Sequence, residues 1–253
     1  MTRRPAQPLW DDAHLASPHT QPDKADRVRR MFDAVAPSYE RINRIFSGGR
    51  DAFWRRRAVR LARVRPDDRV LDVCTGTGDL ARAFAAEPPR PQLICGCDFS
   101  MPMLARAVER DSACMTWCLG DGLRLPFRDA SFSVVSCAFG VRNFQDPAAC
   151  LDEFVRILTP HGRAVILEFS RPRNRGIRWV YELYSTRVMP RLATWVSRDR
   201  TGAYRYLPRS ILSFPDSGPM ATHLEAAGFG RVETHRLTLG VVTIYLAYKG
   251  AHD

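Results

Sequence analysis

The sequence predicts an α/β protein with a mostly parallel sheet of seven strands and helices on both faces. Two observations support this fold class. Between residues 69 and 169, short apolar runs rich in β-branched residues alternate with stretches of helical spacing, as strand–helix–strand units do. After residue 215, a helical stretch leads into two strand-like runs, 232–237 and 241–248, which we expect to form an antiparallel pair at the sheet edge.

The first strand is predicted over residues 69–73 because this run is short, apolar and rich in valine and leucine. Gly76 and Gly78 follow it, and Asp79 stands where a helix should begin. Glycines at such a turn allow a sharp bend and let a ligand approach the backbone closely. The segment from Gly76 to Ala81 also fits the dinucleotide-binding pattern, with alanine in the third place. On its own, this match is a weak signal.

Acidic residues surround the glycine turn. Asp72 closes the strand, Asp79 opens the helix, and Asp98 lies 19 residues further on, after a second apolar run. Carboxylates there repel a pyrophosphate and attract a ligand that carries an ammonium and a sulfonium group. S-adenosylmethionine is such a ligand, and an acid at the end of the second strand can accept hydrogen bonds from ribose hydroxyls. The alternative is that Asp79 only caps a helix and Asp98 only ends a strand.

The remaining elements of the sheet follow in regular order. The spacing of apolar residues predicts a helix from the turn to about residue 87, a strand ending at 98, a helix over 101–108, strands over 114–119 and 132–139, a helix over 148–158 and a strand over 163–169. A long, partly apolar segment covers 178–195, and a helix over 215–227 stops at Gly228.

Upstream of the first strand the sequence predicts helices. Apolar residues at helical spacing indicate a helix from residue 26, ended by Pro37, and another over 51–62. We therefore predict a disordered tail over residues 1–25, where prolines are frequent, and a single domain over 26–250. Within this domain, 26–66 should form a helical lid over the ligand pocket and 173–210 a helical insertion.

The net charge is +11 and comes almost entirely from arginine. The sequence carries no RNA-binding signature, so no nucleic-acid partner is expected, and a peripheral contact with an anionic membrane fits the charge better. No apolar run approaches the ~20 residues of a membrane span, and the N-terminus lacks the apolar core of a secretory signal. We expect a cytoplasmic protein. The seven cysteines lack paired metal spacing, which predicts reduced core residues and no metal site.

Several separate motifs between residues 28 and 249 resemble the UbiE/MenG family of class I S-adenosylmethionine-dependent methyltransferases. They are Met31-Phe32-Asp33-x-Val35-Ala36-x-x-Tyr39, Asp72-x-x-x-Gly76-Thr77-Gly78-Asp79, Leu125-Pro126-Phe127, Phe139-Gly140-Val141-Arg142-Asn143-Phe144, Leu167-Glu168-Phe169-Ser170 and Tyr204-Arg205-Tyr206-Leu207. The glycine turn marks only the superfamily, whereas segments 139–144 and 167–170 are more specific. The resemblance implies a Rossmann-like fold and the methylation of a ring carbon in quinone biosynthesis.

The resemblance also implies where S-adenosylmethionine binds, with the loop after the third strand against the adenine. The donor-binding residues would be Asp72, Gly76, Thr77, Gly78, Asp79, Asp98, Asp121 and Gly122. Segment 98–104 is more similar to the menaquinone branch, so we expect conversion of demethylmenaquinol to menaquinol. The alternatives are a benzoquinol methyltransferase of the ubiquinone pathway, a non-catalytic S-adenosylmethionine-binding protein, an RNA or protein methyltransferase, and a nicotinamide-dependent oxidoreductase.

The segment after the fourth strand holds the candidate catalytic residues. Arg142 and Asn143 stand at the carboxyl edge, where open α/β sheets bind ligands. We assign Arg142 to the oxyanion that develops on the ring, directly or through a water, and Asn143 to orienting the ring oxygen. Tyr39, on the lid, would be a donor or a wall. A structural ion pair for Arg142 and a packing role for Tyr39 are the alternatives.

The acceptor implied by the resemblance is a polyprenyl quinol, which resides in the bilayer. Residues 173–208 mix arginines with aromatic residues that suit an interface or the wall of an acceptor site, namely Trp179, Tyr181, Tyr184, Trp195, Tyr204 and Tyr206. An ordinary amphipathic helix packed on the sheet is the alternative. A homodimer is also expected. Four residues depart from the family pattern: Ser133, Ala138, Tyr245 and Ala247. We expect the first two to affect the donor edge and the last two the oligomer contacts or the acceptor pocket.

Overall fold

Seven strands form one sheet in the order β3-β2-β1-β4-β5-β7-β6. The computed structural model describes residues 8–113, 115–189, 201–214 and 217–250. The strands are Arg69–Val73, Leu93–Asp98, Thr116–Leu119, Phe132–Ala138, Leu158–Phe169, Phe229–Leu237 and Val242–Lys249, β1 to β7 in chain order. Strands β1 to β5 run parallel, and β7 pairs antiparallel with both β5 and β6. The predicted fold class is confirmed.

Ten α-helices lie in the described part of the chain. They are α1 Asp12–Ala16, α2 Lys24–Val35, α3 Tyr39–Phe46, α4 Asp51–Ala62, α5 Asp79–Ala86, α6 Met101–Glu109, α7 Pro147–Ile157, α8 Arg175–Leu183, α9 Ala203–Ser213 and α10 Ser217–Ala226. A π-helical turn, Tyr184–Val188, continues α8, and a 3-10 turn, Val141–Asn143, follows β4. The predicted helix over 51–62 matches α4 residue for residue.

Alternation along the strands divides the core between the two faces of the sheet. Val70, Val134 and Val165 face α4 and α5, whereas Leu71 and Val135 belong to the cluster that contains residues of α7 and α10. Successive side chains of a strand point to opposite faces, so a strand covered on both sides has no polar face. This is why the strands were recognisable as continuous apolar runs.

A third apolar cluster lies outside the sheet. It joins α2 and α3 to α9 and to residues that precede α2, and it includes Trp10, Leu15, Val28, Met31, Ile42, Tyr204 and Tyr206. The predicted disordered tail is therefore wrong for residues 8–25. Residues 12–16 form α1, and the Trp10 side chain is fully buried against the ring of Tyr206, with the ring centroids 4.2 Å apart. Local composition could not reveal this, because the partner lies far along the chain.

Some predicted positions fall outside the described residues. They include Cys114, Pro215 and the stretch 190–195, with Leu192 and Trp195. Among the helices that the structure describes, none is long and apolar enough to cross a membrane. The described His, Cys, Asp and Glu side chains form no group of three or more that could hold a metal ion.

Candidate active site

The glycine turn between β1 and α5 requires glycine for two reasons. Gly76 and Gly78 both have positive φ angles, +56° and +81°, which L residues rarely adopt. A Cβ on Gly78 would also come within 2.6 Å of the Trp117 ring. The aromatic ring of Tyr39 lies over the turn, with Cε1 at 3.9 Å from the position of a Cβ on Gly76. The first residue of α3 therefore lies next to the glycine turn.

A cavity of about 750 Å³ opens beside this turn, at the carboxyl ends of β1, β2 and β4. Val28 and Phe32 of α2 and Tyr39 of α3 line one side. Four predicted donor-site residues line it as well: Gly76, Asp98, Asp121 and Gly122. We refer to this space as the first cavity.

Asp98 is the principal polar group of the first cavity. Its carboxylate accepts hydrogen bonds from the backbone N–H of Gly76 at 2.8 Å and of Ser100 at 2.9 Å. Burial raises the pKa of the Asp98 carboxyl to about 6, against the lowering effect of these N–H groups. Each carboxylate oxygen keeps a further lone pair, so the group can still accept from a ligand hydroxyl.

The rim of the first cavity is formed by the loop after β3. Asp121 holds this loop by accepting the Leu123 N–H at Oδ1, 2.9 Å away. Gly122 must be glycine because a Cβ there would lie 2.5 Å from the ring of Phe144. Phe144, Phe99 and Met103 supply apolar surface to the same cavity. A flat heterocycle with polar edges fits this combination of walls.

Asp72 lies under the turn and does not appear among the residues that line the first cavity. Its carboxylate accepts the hydroxyls of Thr75 and Ser136, each at 2.7 Å. Burial raises the pKa of Asp72 to about 6. In this structure Asp72 therefore braces the turn. Thr77 is also buried, and its hydroxyl has no hydrogen-bond partner among the described residues.

Asp79 has partners that the sequence did not reveal. Its carboxylate forms ion pairs with Arg82, with Arg110 at 3.3 Å and with Arg55 at 3.7 Å. Three guanidinium groups compensate its charge, and it lines an arginine-rich surface pocket with Arg44 and other residues rather than the first cavity. The argument that Asp79 attracts a cationic ligand therefore does not hold.

A second cavity, of about 1,040 Å³, adjoins the first. The two share four lining residues: Phe32, Tyr39, Phe139 and Asn143. Aromatic rings dominate the rest of the second cavity, from Trp54, Phe169, Tyr181, Tyr184, Tyr204 and Tyr206. The two cavities therefore meet at one boundary, the first carrying the Asp98 carboxylate and the second walled mainly by aromatic rings.

Arg142 lies on the second cavity and is almost fully buried. Its Nη1 donates to Glu168 Oε1 at 2.6 Å and to the carbonyl of Phe139 at 2.7 Å. The guanidinium also lies over the ring of Phe169, 5.4 Å from the centroid. Arg142 thus forms the structural ion pair that was the alternative to a catalytic role, and it also lines the cavity, as the catalytic role requires. The Nε atom of Arg142 is buried and has no partner among the described residues.

Asn143 stands at the boundary itself. Its Nδ2 donates to the Phe139 carbonyl at 3.2 Å, and its Oδ1 accepts the hydroxyl of Tyr206 at 3.0 Å. Tyr39 lines both cavities, and burial raises the pKa of its phenol. The three predicted catalytic residues therefore lie together. Tyr206 was predicted only as part of an interface or acceptor wall, and Glu168 was assigned no role from the sequence, although both belong to the motifs that carried the family resemblance.

The four departures from the family pattern are mostly remote from the cavities. Only Ala138 is among the described residues that line the first cavity. Ser133 instead donates its hydroxyl to Asp68 at 2.7 Å, near the amino end of the sheet. Tyr245 and Ala247 are buried in β7 within the core. Ser133 thus does not lie at the donor edge as expected, and Tyr245 and Ala247 do not line the acceptor pocket. Their effect on oligomer contacts stays a prediction.

The fold is that of the Rossmann-like S-adenosylmethionine-dependent methyltransferases. A solved methyltransferase of this kind from Thermotoga maritima matches with a TM-score of 0.62 and 18% identity, covering 88% of this chain and 99% of that chain. The [4+2]-cyclase SpnF matches with a TM-score of 0.62 and 17% identity, over 88% of this chain and 95% of that one. These likenesses establish the fold, and the second illustrates that one fold can serve different reactions.

Sequence comparison identifies the family. The profile of the ubiE/COQ5 methyltransferase family matches residues 20–249. A protein of Deinococcus radiodurans named demethylmenaquinone methyltransferase is 42% identical over 230 residues, which are 90% of this chain and 94% of the relative. A Geobacter sulfurreducens protein named ubiquinone/menaquinone biosynthesis C-methyltransferase UbiE is 40% identical over 90% of each chain. The chain belongs to the ubiE/COQ5 methyltransferase family.

Proposed function

We propose that this protein transfers the methyl group of S-adenosylmethionine to a ring carbon of demethylmenaquinol and so produces menaquinol. The observation that carries the proposal is the boundary between the two cavities, where the pocket that holds the Asp98 carboxylate meets an aromatic pocket with Arg142. A methyl transfer needs a donor and an acceptor held in line across such a boundary. The names of relatives from Deinococcus radiodurans and Thermus thermophilus support the menaquinone branch.

The first cavity suits the donor. Asp98 would accept the ribose hydroxyls, and Asp121 with Gly122 would face the adenine edge. Thr77 does not line the first cavity in this structure, but its buried hydroxyl has no partner among the described residues, and a donor that shifts the glycine turn would satisfy it. When bound, S-adenosylmethionine supplies an electrophilic methyl group on a sulfonium. Gly76, whose N–H is held by Asp98, would fix the turn that supports the donor.

The second cavity suits the ring of the quinol. Aromatic walls bind an aromatic ring through apolar contact and edge-to-face packing. Loss of a hydroxyl proton would make the ring carbon more nucleophilic, and Arg142 would stabilise the oxyanion formed. Asn143 would donate to a ring oxygen, and Tyr39 would close the boundary. Glu168 would keep the guanidinium of Arg142 in place.

Helix α8 supports a peripheral contact with an anionic membrane as part of this proposal. Tyr181 of α8 and Tyr184 directly after it line the second cavity, while Trp179 and Val180 expose 66% and 58% of their surface. One side of the helix thus serves the acceptor pocket and another is free to enter a lipid interface. A polyprenyl tail would leave the second cavity on this side. Arginines at the start of α8 would attract acidic headgroups.

A direct assay tests the proposal. Purified protein is incubated with methyl-labelled S-adenosylmethionine and demethylmenaquinol under reducing conditions, and the labelled lipid is identified by mass spectrometry. Menaquinol is the expected product, and the oxidised quinone should remain unmethylated because its ring is not nucleophilic. A parallel reaction contains the benzoquinol precursor of ubiquinone, since the Geobacter relative is named for both pathways. Donor binding without labelling of either lipid would contradict the proposal.

A further inference from the structure

The residues before α2 form a strap across the wall of the second cavity. We define the N-terminal strap as residues 9–23. At one end, the backbone N–H of Trp10 donates to the Thr201 carbonyl at 3.1 Å, and the Trp10 ring packs on Tyr206. The contact is close: a Cβ on Gly202 would lie only 2.7 Å from the Trp10 carbonyl oxygen. Trp10 is completely buried, so this end of the strap is firmly docked.

The other end of the strap is attached beside Asn143. The Gln21 carbonyl accepts the Gln145 side-chain N–H at 3.0 Å, and Gln145 in turn accepts the Ala25 N–H at 3.1 Å. The buried ammonium of Lys24 donates to the carbonyl of Phe144. The end of the strap contacts Gln145, and the first residues of α2 contact Phe144 and Gln145, so together they hold the chain on one side of Asn143. On the other side, Trp10 supports the helix that carries Tyr206.

The Phe139 carbonyl can only accept, so it sets which end of the Asn143 amide is the NH₂ group, and the Tyr206 hydroxyl holds the other end in place. The Tyr206 hydroxyl donates to Oδ1, while the Phe139 carbonyl takes one hydrogen of Nδ2. A flipped amide would set its oxygen against the Phe139 carbonyl oxygen. An amide has two N–H donors, so the observed orientation leaves one N–H at the boundary between the cavities without a partner among the described residues.

We propose that Trp10 is a positioning residue that acts through Tyr206 to orient Asn143. The Trp10 ring packs against the Tyr206 ring, and the Tyr206 hydroxyl holds the Asn143 amide in place. One N–H of this amide then remains available for the acceptor oxygen. The kinetic consequence rests on the proposed function, because it needs an acceptor in the second cavity. The orientation of the Asn143 amide does not depend on the proposed function, and it can be measured on the protein without any substrate.

Nuclear magnetic resonance tests the orientation directly. The side-chain amide signals of Asn143 in ¹⁵N-labelled protein are assigned by their loss in Asn143→Ala. We expect Trp10→Ala and Tyr206→Phe to shift these signals to similar positions, and Trp10→Phe, which keeps a ring on Tyr206, to retain most of the wild-type shift. Asp12→Asn is the control, because it removes only a solvent-exposed strap contact, the ion pair with Arg205. Unchanged Asn143 signals in Trp10→Ala would overturn the proposal.

Kinetics then test the consequence. Trp10→Ala and Tyr206→Phe should each lower kcat by roughly tenfold, since small misplacements of a positioning group are costly, with KM for S-adenosylmethionine unchanged. The double variant should be no slower than either single variant, because both act on the same amide, and Trp10→Phe should recover most of kcat. Multiplicative losses would contradict the relay. Shifted amide signals with no turnover in any variant or wild type would instead refute the proposed acceptor and leave the relay intact.

Discussion

The guanidinium of Arg142 and the carboxylate of Glu168 form a buried ion pair on the wall of the second cavity, with Nη1 2.6 Å from Oε1. Their side chains retain only 5% and 1% of their accessible surface. Removing one partner of such a pair leaves an uncompensated buried charge. The same ion pair therefore stabilises the fold and holds in place the positive charge that would face the acceptor.

Arg142→Met should lower both stability and turnover. We expect the free energy of unfolding to fall by about 3–5 kcal/mol because Glu168 is left unpaired. Turnover should fall by a factor of about 10²–10³ if the guanidinium stabilises a developing oxyanion. Denaturant unfolding and the methyl-transfer assay measure the two effects, and binding of S-adenosylhomocysteine reports whether the donor site is intact.

The double variant Arg142→Met, Glu168→Gln separates the two roles. Glutamine removes the unpaired charge but can still accept the Phe169 N–H that Glu168 Oε1 accepts at 2.9 Å. Stability should therefore recover, while turnover should not. A double variant that regains turnover would mean that Arg142 has only a structural role.

Donor affinity should weaken as the pH falls below about 6. Burial raises the pKa of Asp98 to about 6, so the carboxylate is lost below that pH and can no longer accept from two hydroxyls. Calorimetry with S-adenosylhomocysteine between pH 5 and 8 should show this loss in the wild type. Asp98→Asn should bind weakly at every pH, with a flat profile over this range. Asp79→Asn serves as the control and should leave affinity unchanged, because Asp79 pairs with arginines outside the first cavity.

Thr77→Val should weaken donor binding without destabilising the fold. The Thr77 hydroxyl is buried without a partner among the described residues, so an isosteric valine removes an unsatisfied group, and the free energy of unfolding should stay equal or rise. S-adenosylhomocysteine should bind about fivefold more weakly, the effect of one hydrogen bond of about 1 kcal/mol. Thr75→Val is the matched comparison: it breaks the 2.7 Å bond to Asp72 and should lower stability. If Thr77→Val binds S-adenosylhomocysteine as tightly as the wild type does, Thr77 does not contact the donor.

The sequence specified the sheet well because its signals are local. The end of β1, the two glycines and the boundaries of α4 follow from apolar periodicity and turn chemistry within about ten residues. The boundary residues Arg142 and Asn143 were found for a related reason: they follow a buried strand whose carboxyl end is a ligand edge. Local pattern and position in the sheet were sufficient for these residues.

The failures all involve partners distant in sequence. Asp79 was expected to be free to bind a cation, but Arg55 and Arg110 reach it from two other helical regions. Trp10 was assigned to a disordered tail, yet it is buried on Tyr206, nearly two hundred positions away. The charge and hydrophobicity of a residue predict that a partner in the fold will stabilise it. They do not identify that partner when it lies far away in the sequence.

Trp179→Ser should weaken binding to anionic vesicles. Trp179 exposes two thirds of its surface on the helix that contributes Tyr181 to the second cavity, and aromatic residues in such a position anchor a protein at a lipid interface. Co-sedimentation with vesicles rich in phosphatidylglycerol measures the loss. Phe53→Ser is the matched control, because Phe53 is a similarly exposed aromatic residue on α4. Equal binding of both variants would argue against an interface at α8.

The stability contributed by Lys24 should depend on pH in a direction set by its burial. Lys24 is fully buried, and burial lowers the pKa of its ammonium to about 8, whereas the unfolded chain keeps a pKa of about 10.4. At a pH between these two pKa values, the unfolded state still holds a proton that the native state has released. The free energy of unfolding of the wild type therefore increases as the pH rises. Lys24→Met lacks this contribution. The free energy of unfolding of the wild type minus that of Lys24→Met should therefore rise by about 2 kcal/mol from pH 8 to 9.5. Taking this difference cancels groups that titrate in both proteins, so a flat difference would mean that the buried ammonium has a compensating partner in the native state.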